Sequence, residues 1–382
     1  MNDAISDAHA DGLSHMRVIE VNKYSDFLAL EEKWQDVLEK CNYYTVFSTW
    51  EWLSIWWKHF GKGKRLVLLL AEENDKIVGI APLMYSVHKM FGLRMGKIEF
   101  IGTPDSDYAE FILAEKSEEC IKLFIEYVNN FTEKWKRIEL SDIPENSRSL
   151  PTLRKISRNV KLIHKCPYTS LPKSCETYLL SLPRKHRKEL NRNTRVIERE
   201  GFKMDFADYS DSESLLDGMN DFFSLHQKRW MSRGFAGVFE GQKSRNFSLE
   251  IAKRFSEKGW LGLFLLKLSG KPVAALFGFR HQSRYYAYLS GFDPQYSGYG
   301  VGGLLFLHTI NYCIKEGLNE FDFMRGAEEY KDRWNTMTRW NSQVIITRRG
   351  FLEDIEYRLY DKYWQQGSRL KYVVKNAPRA RI

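Results

Sequence analysis

A glycine-rich turn is the segment of this sequence best suited to bind a ligand. The turn, Gln295–Gly300, has the sequence QYSGYG and stands between a predicted strand and one long predicted helix. Glycines let the backbone pass close to a ligand, and the N–H groups of a first helical turn attract anions. Polar and apolar residues alternate before the turn, and apolar residues recur at helical spacing after it. This context predicts an anion site, and a pyrophosphate is its natural ligand.

Two acidic positions downstream of the turn are candidates for proton transfer. Asp322 stands between Phe321 and Phe323 on a predicted strand. Burial there would raise its pKa toward a value useful for a general base. A strand-end aspartate can equally cap the next turn or pair with Arg325. Glu328 begins the next predicted helix, where an acidic residue also simply favours the helix dipole.

The first half of the chain contains a second polar segment of interest, the turn from Pro104 to Tyr108. If two domains face each other across a cleft, Asp107 and Tyr108 could hold an ammonium or hydroxyl group of a substrate. A turn rich in Asp and Ser also needs no function to explain it. Trp230 could line the same cleft, although aromatic packing at a helix end explains it as well.

These groups must be positioned by two similar units. A chain of 382 residues is expected to form two domains, because single cores seldom exceed roughly 250 residues. Two predicted β-hairpins look like one motif used twice, and each joins two apolar strands through a tight turn. Their strands are Arg65–Glu72 with Lys76–Tyr85, and Leu261–Leu268 with Lys271–Arg280. The repeat predicts tandem α/β domains with mixed sheets.

Helical patterns surround both hairpins. The first half contains a Trp-rich helix that Ser48 or Thr49 could cap, and a later helix over Glu118–Trp135 followed by a strand at Arg137–Leu140. Two further helices are predicted before the second hairpin, over Asp211–Arg233 and Lys243–Lys258.

A basic amphipathic helix is predicted over Arg184–Arg199, where seven Lys/Arg residues stand against two Glu and Gly201 follows as a stop signal. His186, Leu190 and Ile197 fall opposite the basic stripe. The stripe is made of Arg184, Lys188, Arg192, Arg195 and Arg199. It can be a solvated face, a surface for an anionic substrate, or a surface for RNA phosphates. No aromatic residue interleaves the run, so a single-strand nucleic-acid platform is disfavoured.

Other features exclude whole classes of function. No apolar run approaches the roughly 20 residues that cross a bilayer, and residues 1–15 are polar, which predicts a disordered tail and no secretory signal. The five cysteines form no C-x-x-C pair and the histidines show no metal spacing, so neither zinc nor a disulfide framework is supported. We expect a cytoplasmic protein without a metal. The segment 351–382 is basic and predicts a short helix and a loose tail.

The turn resembles the Gln/Arg-x-x-Gly-x-Gly/Ala signature of the GNAT superfamily of N-acyltransferases. Further matching features point to the CelD-type branch, found around exopolysaccharide and cell-envelope genes, and more distantly to the Fem peptidyltransferases. These features are the Phe47…Trp50…Leu53 segment, Ser106-Asp107-Tyr108, Glu200-Gly201 at the end of the basic helix, Phe321–Gly326, and Tyr330–Trp334. The last block is the most specific.

The resemblance implies an α/β fold of two tandem GNAT-like domains, each a mixed, mostly antiparallel sheet flanked by helices. We expect a non-catalytic domain over 16–165 that shapes an acceptor cleft, and a catalytic domain over 166–350. Acetyl-CoA or another acyl-CoA would be the co-substrate. Its predicted binding residues are Leu289, Ser290, Gly291, Gln295, Tyr296, Ser297, Gly298, Tyr299, Gly300 and Val301.

The same resemblance assigns roles near the acyl carbonyl. Lys331 would stabilise charge there, and Tyr330 would protonate the leaving thiolate or simply pack. Asp107, Tyr108, Trp230 and Arg325 are the predicted acceptor-binding residues. The implied activity is direct acyl transfer to an amine, with an amino sugar or envelope precursor as the acceptor that the resemblance suggests. A Fem-like transfer from aminoacyl-tRNA and a binding protein without catalysis remain as alternatives.

Overall fold

The computed structural model describes residues 16–90, 93–131, 135–211 and 213–347, which form one mixed sheet with helices on both faces. The predicted tail at 1–15 and the predicted basic segment at 351–382 lie outside the described residues. None of the helices in these ranges combines the length and apolar character that crossing a bilayer requires.

The first half of the chain supplies seven strands and five helices within the described ranges. They are β1 (Arg17–Val21), α1 (Tyr24–Leu28), α2 (Glu31–Glu39), α3 (Trp50–Phe60), β2 (Arg65–Glu73), β3 (Lys76–Met90), β4 (Leu93–Phe100), β5 (Ile112–Leu113), α4 (Ser117–Asn129), β6 (Trp135–Pro144), α5 (Ser149–Ile156) and β7 (Val160–Ser170).

The second half supplies the remaining elements and two short 3-10 turns. They are α6 (Cys175–Ser181), α7 (Arg184–Arg199), β8 (Met204–Asp208), α8 (Leu215–Met231), α9 (Gln242–Glu257), β9 (Leu261–Leu268), β10 (Lys271–His281), β11 (Arg284–Phe292), a 3-10 turn (Pro294–Tyr299), α10 (Val301–Lys315), β12 (Glu320–Asp322), a 3-10 turn (Lys331–Trp334) and β13 (Met337–Thr347).

The two halves of the sheet are joined by a strand exchange. The strand order is β1-β2-β3-β4-β6-β13-β7-β12-β11-β10-β9-β8, with β5 paired to β3. The last strand of the second half, β13, is antiparallel to β6 of the first half. The last strand of the first half, β7, is antiparallel to β12 of the second half, and β7 and β13 pair with each other in the middle. The predicted domain boundary at 165/166 therefore lies inside β7.

Both predicted hairpins are present and use the same kind of turn. Asn74 and Asp75 have φ of 50° and 58°, and Ser269 and Gly270 have φ of 49° and 85°. Two consecutive left-handed residues match the right-handed twist of the flanking strands. The hairpins also hold equivalent positions, because β2 lies between β1 and β3 and β9 lies between β8 and β10.

The central strands are buried on both faces. Along β2, Leu66, Leu68 and Leu70 enter one core while Val67 and Leu69 enter another. The first of these cores contains apolar side chains of α2, α3, α8 and α9 and spans both halves of the sheet. On the opposite face, α4 and α5 cover the first half, and α6, α7 and α10 cover the second. Strands covered on both faces give continuous apolar sequences such as that of β2.

Helix α3 holds the Pro104–Tyr108 turn in place. Thr49 caps the helix by accepting a hydrogen bond from the Trp52 N–H at 3.4 Å, which confirms the predicted cap. The Trp52 indole N–H then donates to Ser106 Oγ at 2.8 Å, and the Trp56 indole N–H donates to Asp105 Oδ2 at 2.9 Å. The Trp-rich helix thus fixes a polar turn through its indole donors.

Two predicted helices differ from the structure, one in its extent and one because it does not form. The helix predicted over Glu118–Trp135 ends at Asn129, and Trp135 begins β6 with its indole N–H donating to the Val128 carbonyl. The helix expected to begin at Glu328 is absent, and the chain forms only the 3-10 turn Lys331–Trp334 before Asn335, at φ 52°, ends it.

The first half also buries a carboxyl group with incomplete hydrogen bonding. Glu110 is 7% exposed, and its Oε1 atom has no hydrogen-bond partner among the described residues. Burial raises the pKa of Glu110 to about 7, although a hydrogen bond with Ser147 acts in the opposite direction. Removing the charge should therefore stabilise the protein at high pH.

Replacing Glu110 with glutamine should raise the free energy of unfolding by about 2 kcal/mol near pH 8 and leave it almost unchanged near pH 4. Because the pKa is higher in the folded state, the favourable contribution of the protonated carboxyl is complete below the ordinary value of 4.5 and is lost as the pH rises through about 7. Urea unfolding at several pH values measures this. The exposed Glu115→Gln should show no such dependence, and equal gains at both pH values would refute the assignment.

Candidate functional site

The site is organised by two parallel strands that separate. Strands β11 and β12 pair from Arg284 with Glu320 to Tyr286 with Asp322. There β12 ends, while β11 continues to Phe292 with β10 still paired along its other edge. A wedge therefore opens in the sheet at the carboxyl ends of two parallel strands, which is where open α/β sheets bind ligands.

The predicted glycine-rich turn follows β11 directly. Asp293 starts the 3-10 turn by accepting the Gln295 N–H at 3.1 Å. Gly300 adopts φ 62° and is the N-cap of α10, whose first backbone bond runs from Leu304 N–H to the Gly300 carbonyl at 3.2 Å. A glycine N-cap brings no side-chain acceptor to the N–H groups of the first turn. The predicted order of strand, turn and helix is confirmed.

Helix α7 packs across this turn. Its basic stripe is exposed and its opposite face is buried, as predicted, and Gly201 follows at φ 78°. A Cβ atom at Gly300 would overlap Asn193 Nδ2, so a glycine is required for this close approach. Tyr299 also donates its hydroxyl to the Glu200 carboxylate. The turn is therefore covered on one side by α7, whereas Ser297 and Gly298 are exposed.

A narrow space, the α7 slot, lies between α7, the N-terminus of α10 and the second 3-10 turn. It contains about 330 Å³ not filled by protein atoms, part of it open to solvent. Its walls include His186, Leu190, Gly300, Gly303, Tyr330 and Trp334. The buried side chains that form these walls belong to the core beneath α6, α7 and α10, so the α7 slot lies on that face of the sheet, beside the start of α10.

A second space, the interhalf cleft, lies on the opposite face of the sheet. It contains about 640 Å³ and receives Asp105 and Asp107 from the first half, and Tyr288, Ser290 and Arg325 from the second. Leu289, His226, Arg229 and Trp230 complete most of its lining. Three predicted acceptor-binding residues, Asp107, Trp230 and Arg325, are thus brought together. Leu289 and Ser290, predicted to bind the cofactor, lie on this side of the wedge.

Arg325 is held rigidly at the cleft by carboxylates of the first half. Its guanidinium contacts Asp107 Oδ1 at 2.8 Å and Asp142 Oδ2 at 2.8 Å, and donates to the Pro104 carbonyl at 2.5 Å. Burial acts to raise the pKa of Asp142, but Arg325 and His164 outweigh it and lower that pKa to about 2. A half-buried, paired guanidinium at the cleft wall can orient a polar acceptor.

Helix α8 packs closely on one face of β11. A Cβ atom at Gly291 would overlap the backbone of His226, so this glycine permits the contact. Arg229 then donates to Ser290 Oγ at 2.8 Å and to the Ser290 carbonyl at 3.3 Å. His226 Nε2 accepts the Trp230 indole N–H at 2.9 Å. These contacts hold α8 against β11 and so fix the wall of the interhalf cleft that His226, Arg229 and Trp230 form.

Asp322 is enclosed within the protein and has three hydrogen-bond partners. It is 0% exposed, and its Oδ2 accepts the Tyr108 hydroxyl at 2.7 Å and Arg339 Nη1 at 3.0 Å. Its Oδ1 accepts the Met324 N–H at 2.7 Å. Burial raises its pKa, and although Arg339 acts in the opposite direction the pKa is about 6. Asp322 and Tyr108 therefore join the two halves and do not line the interhalf cleft or the α7 slot.

Lys331 is also fully enclosed, at 0% exposure. Its ammonium donates to the carbonyls of Met324 at 2.9 Å and Arg325 at 3.2 Å, and pairs with Glu328 at 2.9 Å. The lysine thus closes the loop that carries Arg325. Of the four predicted catalytic residues, only Tyr330 lines one of the two spaces, the α7 slot.

Several residues that shape the site are not among those that the sequence predicts. Asp142 lies on β6 and Arg339 on β13, two strands that pair only through the strand exchange. Asn193 and His186 lie on the buried face of the basic helix; the sequence pattern placed His186 on that face but indicated no functional role for either residue. No group of three or more His, Cys, Asp or Glu residues in the described ranges is arranged to hold a metal ion.

Comparisons with known proteins support the fold. Residues 184–332 match the family model described as an acetyltransferase (GNAT) domain. Comparison with curated protein sequences gave no significant match. This chain is similar in structure to FemX, with a TM-score of 0.61, 12% identity and coverage of 90% of this chain and 99% of that one.

Two other solved structures are similar over most of their length. A tandem GNAT protein from the clavulanic acid biosynthesis pathway gives a TM-score of 0.50 at 7% identity, covering 87% of this chain and 98% of that chain. L-PGS from Bacillus licheniformis gives 0.52 at 13% identity, covering 86% and 96%. At these identities the likeness concerns the fold alone. The predicted fold class, a mixed α/β arrangement of tandem GNAT-like units, is confirmed.

Proposed function

We propose that this protein is an N-acyltransferase that moves an acyl group from an acyl-CoA to an amine. The observation that carries the proposal is the wedge between β11 and β12. On one face it meets a glycine turn and an uncapped helix N-terminus, and on the other it meets a polar cleft built by both halves. A donor and an acceptor bound on opposite faces would meet at the wedge.

The donor side suits a diphosphate followed by a neutral arm. The N–H groups at the start of α10 would bind phosphate oxygens, and Gly298 leaves the approach open because no atom lies within 4 Å of its Cβ position. Bound acyl-CoA would supply an activated carbonyl and a thiolate leaving group.

The acceptor side suits an amine. The carboxylates Asp105 and Asp107 at the interhalf cleft favour an ammonium group, and Arg325 orients neighbouring polar groups. The bound ammonium first loses one proton to water, and the neutral amine nitrogen then forms the new C–N bond as the C–S bond breaks, without a covalent enzyme intermediate. The second amine proton leaves to solvent in the interhalf cleft, and Tyr330, which lines the α7 slot, supplies a proton to the sulfur.

The acceptor is proposed to be an amino sugar or a cell-envelope precursor, as the CelD-type resemblance suggests, and the reaction to occur in the cytoplasm. Isothermal titration with acetyl-CoA, followed by measurement of thiol release with a panel of amino sugars and amino acids, tests this. Binding together with amine-dependent thiol release supports the proposal. Absence of binding to any acyl-CoA would contradict it.

A Fem-like transfer from aminoacyl-tRNA is the second candidate. It is favoured by the structural likeness to FemX and by the exposed stripe of cations on α7. Binding would then fall steeply with salt, because tRNA phosphates release counterions. Filter binding of aminoacyl-tRNA between low and physiological salt distinguishes the two donors, since acetyl-CoA makes few phosphate contacts.

Replacing Gly298 with leucine should weaken acetyl-CoA binding by about tenfold or more without destabilising the protein. The free protein has open space at this Cβ position, so a loss of affinity would come from a clash with the ligand and not from a disturbed fold. Titration calorimetry measures the affinity, and a thermal melt checks the fold. Gly241→Leu is a matched control, because Gly241 also has an open Cβ position but lies at the start of α9. Unchanged affinity in Gly298→Leu would remove the turn from the donor site.

A further inference from the structure

His186 on α7 is a buried polar side chain without a hydrogen bond. It is 7% exposed, and neither ring nitrogen has a hydrogen-bond partner among the residues that the structure describes. The nearest carboxylate oxygen, on Glu189, is 4.0 Å from Nδ1, which is beyond hydrogen-bond length. Burying two unpartnered polar atoms costs stability, so a group that binds them in the working protein would offset that cost.

The imidazole lies at the wall of the α7 slot. Its ring meets the Trp334 ring edge to face, with centroids 4.7 Å apart. The slot passes from there to Gly303, whose Cβ position is 3.6 Å from Leu190, and to Gly300 at the uncapped start of α10. A ligand that reaches the wedge from the glycine turn on this face therefore passes His186.

The side chains that line the α7 slot suit a neutral, chain-like ligand. Burial lowers the pKa of His186, although the Glu189 carboxylate acts in the opposite direction, so at neutral pH the ring offers one donor and one acceptor. Asn193, 8% exposed on the same face of α7, offers an amide. The charged groups of the slot, Glu189 and Arg333, pair with each other at 3.3 Å. The remaining walls are apolar or aromatic.

We propose that His186 is a donor-binding residue and that the buried face of α7 forms a wall of the donor site, with the imidazole hydrogen-bonded to an amide of the pantetheine arm. An amide presents one N–H and one carbonyl, which match a neutral imidazole. This inference rests on the proposed function. It adds a donor-binding residue from α7, a helix that is part of neither the glycine turn nor the wedge.

The test compares two ligands on His186→Phe. Phenylalanine keeps an aromatic ring against Trp334 and removes both nitrogens. Titration calorimetry should show acetyl-CoA binding weakened about tenfold. Adenosine 3′,5′-bisphosphate, which has the nucleotide but no pantetheine arm, should bind within about twofold of wild type. Lys188→Met, on the exposed face of the same helix, is the matched control and should change neither affinity.

Stability gives an independent measurement. Without ligand, His186→Phe should melt at or above the wild-type temperature, because two unpartnered buried nitrogens are removed. Equal acetyl-CoA affinity in wild type and His186→Phe would overturn this inference and leave the proposed function intact, and so would an equal loss for both ligands. Failure of wild-type protein to bind acetyl-CoA would overturn both. A variant that melts well below wild type would contradict the assignment of an unpartnered imidazole.

Discussion

Replacing Asp322 with alanine should lower the free energy of unfolding by about 4 kcal/mol. The substitution leaves Arg339, 8% exposed, with Glu320 as its one carboxylate partner in the part of the chain that the structure describes. It also removes the acceptor for the Tyr108 hydroxyl and the Met324 N–H. A buried donor that has lost its acceptor carries the full cost of its desolvation. Each of the three losses therefore lowers the stability of the folded protein. Urea unfolding followed by tryptophan fluorescence measures the effect.

A double variant distinguishes a structural role of the Asp322–Arg339 pair from a catalytic role of Asp322. Asp322→Leu combined with Arg339→Met should cost less than the sum of the single changes, because the double variant leaves neither member of this pair buried without the other. Glu316→Ala, an exposed carboxylate at the end of α10, should change stability by less than about 0.5 kcal/mol. If Asp322→Ala retains wild-type stability and loses only turnover, Asp322 is the general base that the sequence suggested.

Replacing Lys331 with methionine should cost about 3 kcal/mol of stability. Methionine keeps the apolar stem but withdraws the ammonium from two loop carbonyls and from Glu328. The loop carries Arg325, so we also expect a higher KM for the acceptor with acetyl-CoA affinity nearly unchanged. Thermal melts and steady-state kinetics with each substrate varied provide the measurements.

A nearby ion pair provides the comparison. Lys165→Met removes a partly exposed lysine from Asp332 at 3.1 Å and should cost less than about 1 kcal/mol. The resemblance to Fem-like enzymes instead implies charge stabilisation at the acyl carbonyl by Lys331. A Lys331→Met protein with wild-type stability and a lower kcat would favour that role over the structural one.

Local patterns in the sequence predict much of this fold. The two hairpins, the capped Trp-rich helix, the amphipathic α7 and the strand, turn and helix around Gly300 each depend on neighbouring residues. Alternation, capping and turn chemistry act over a few positions, so a single sequence is enough to recognise them.

The parts that were not predictable depend on distant contacts. Nothing near Asp322 indicates that Arg339 and Tyr108 will enclose it, and nothing near Lys331 indicates that loop carbonyls will surround its ammonium. The helix predicted from Glu328 fails for the same reason, because Lys331 binds the loop in a non-helical path. Candidate catalytic residues chosen by type alone cannot be separated from buried structural pairs without the fold.

The strand exchange has a consequence for how the protein is made. Strand β6 obtains its neighbour β13 only when residues 337–347 have left the ribosome, and β12 needs β7 from the other half. The first half therefore cannot complete its hydrogen-bonded edge during its own synthesis, whereas β7 is already available when β12 emerges. The first half must wait for β13, and a fragment that stops after residue 170 would expose an open edge ready to join a second molecule.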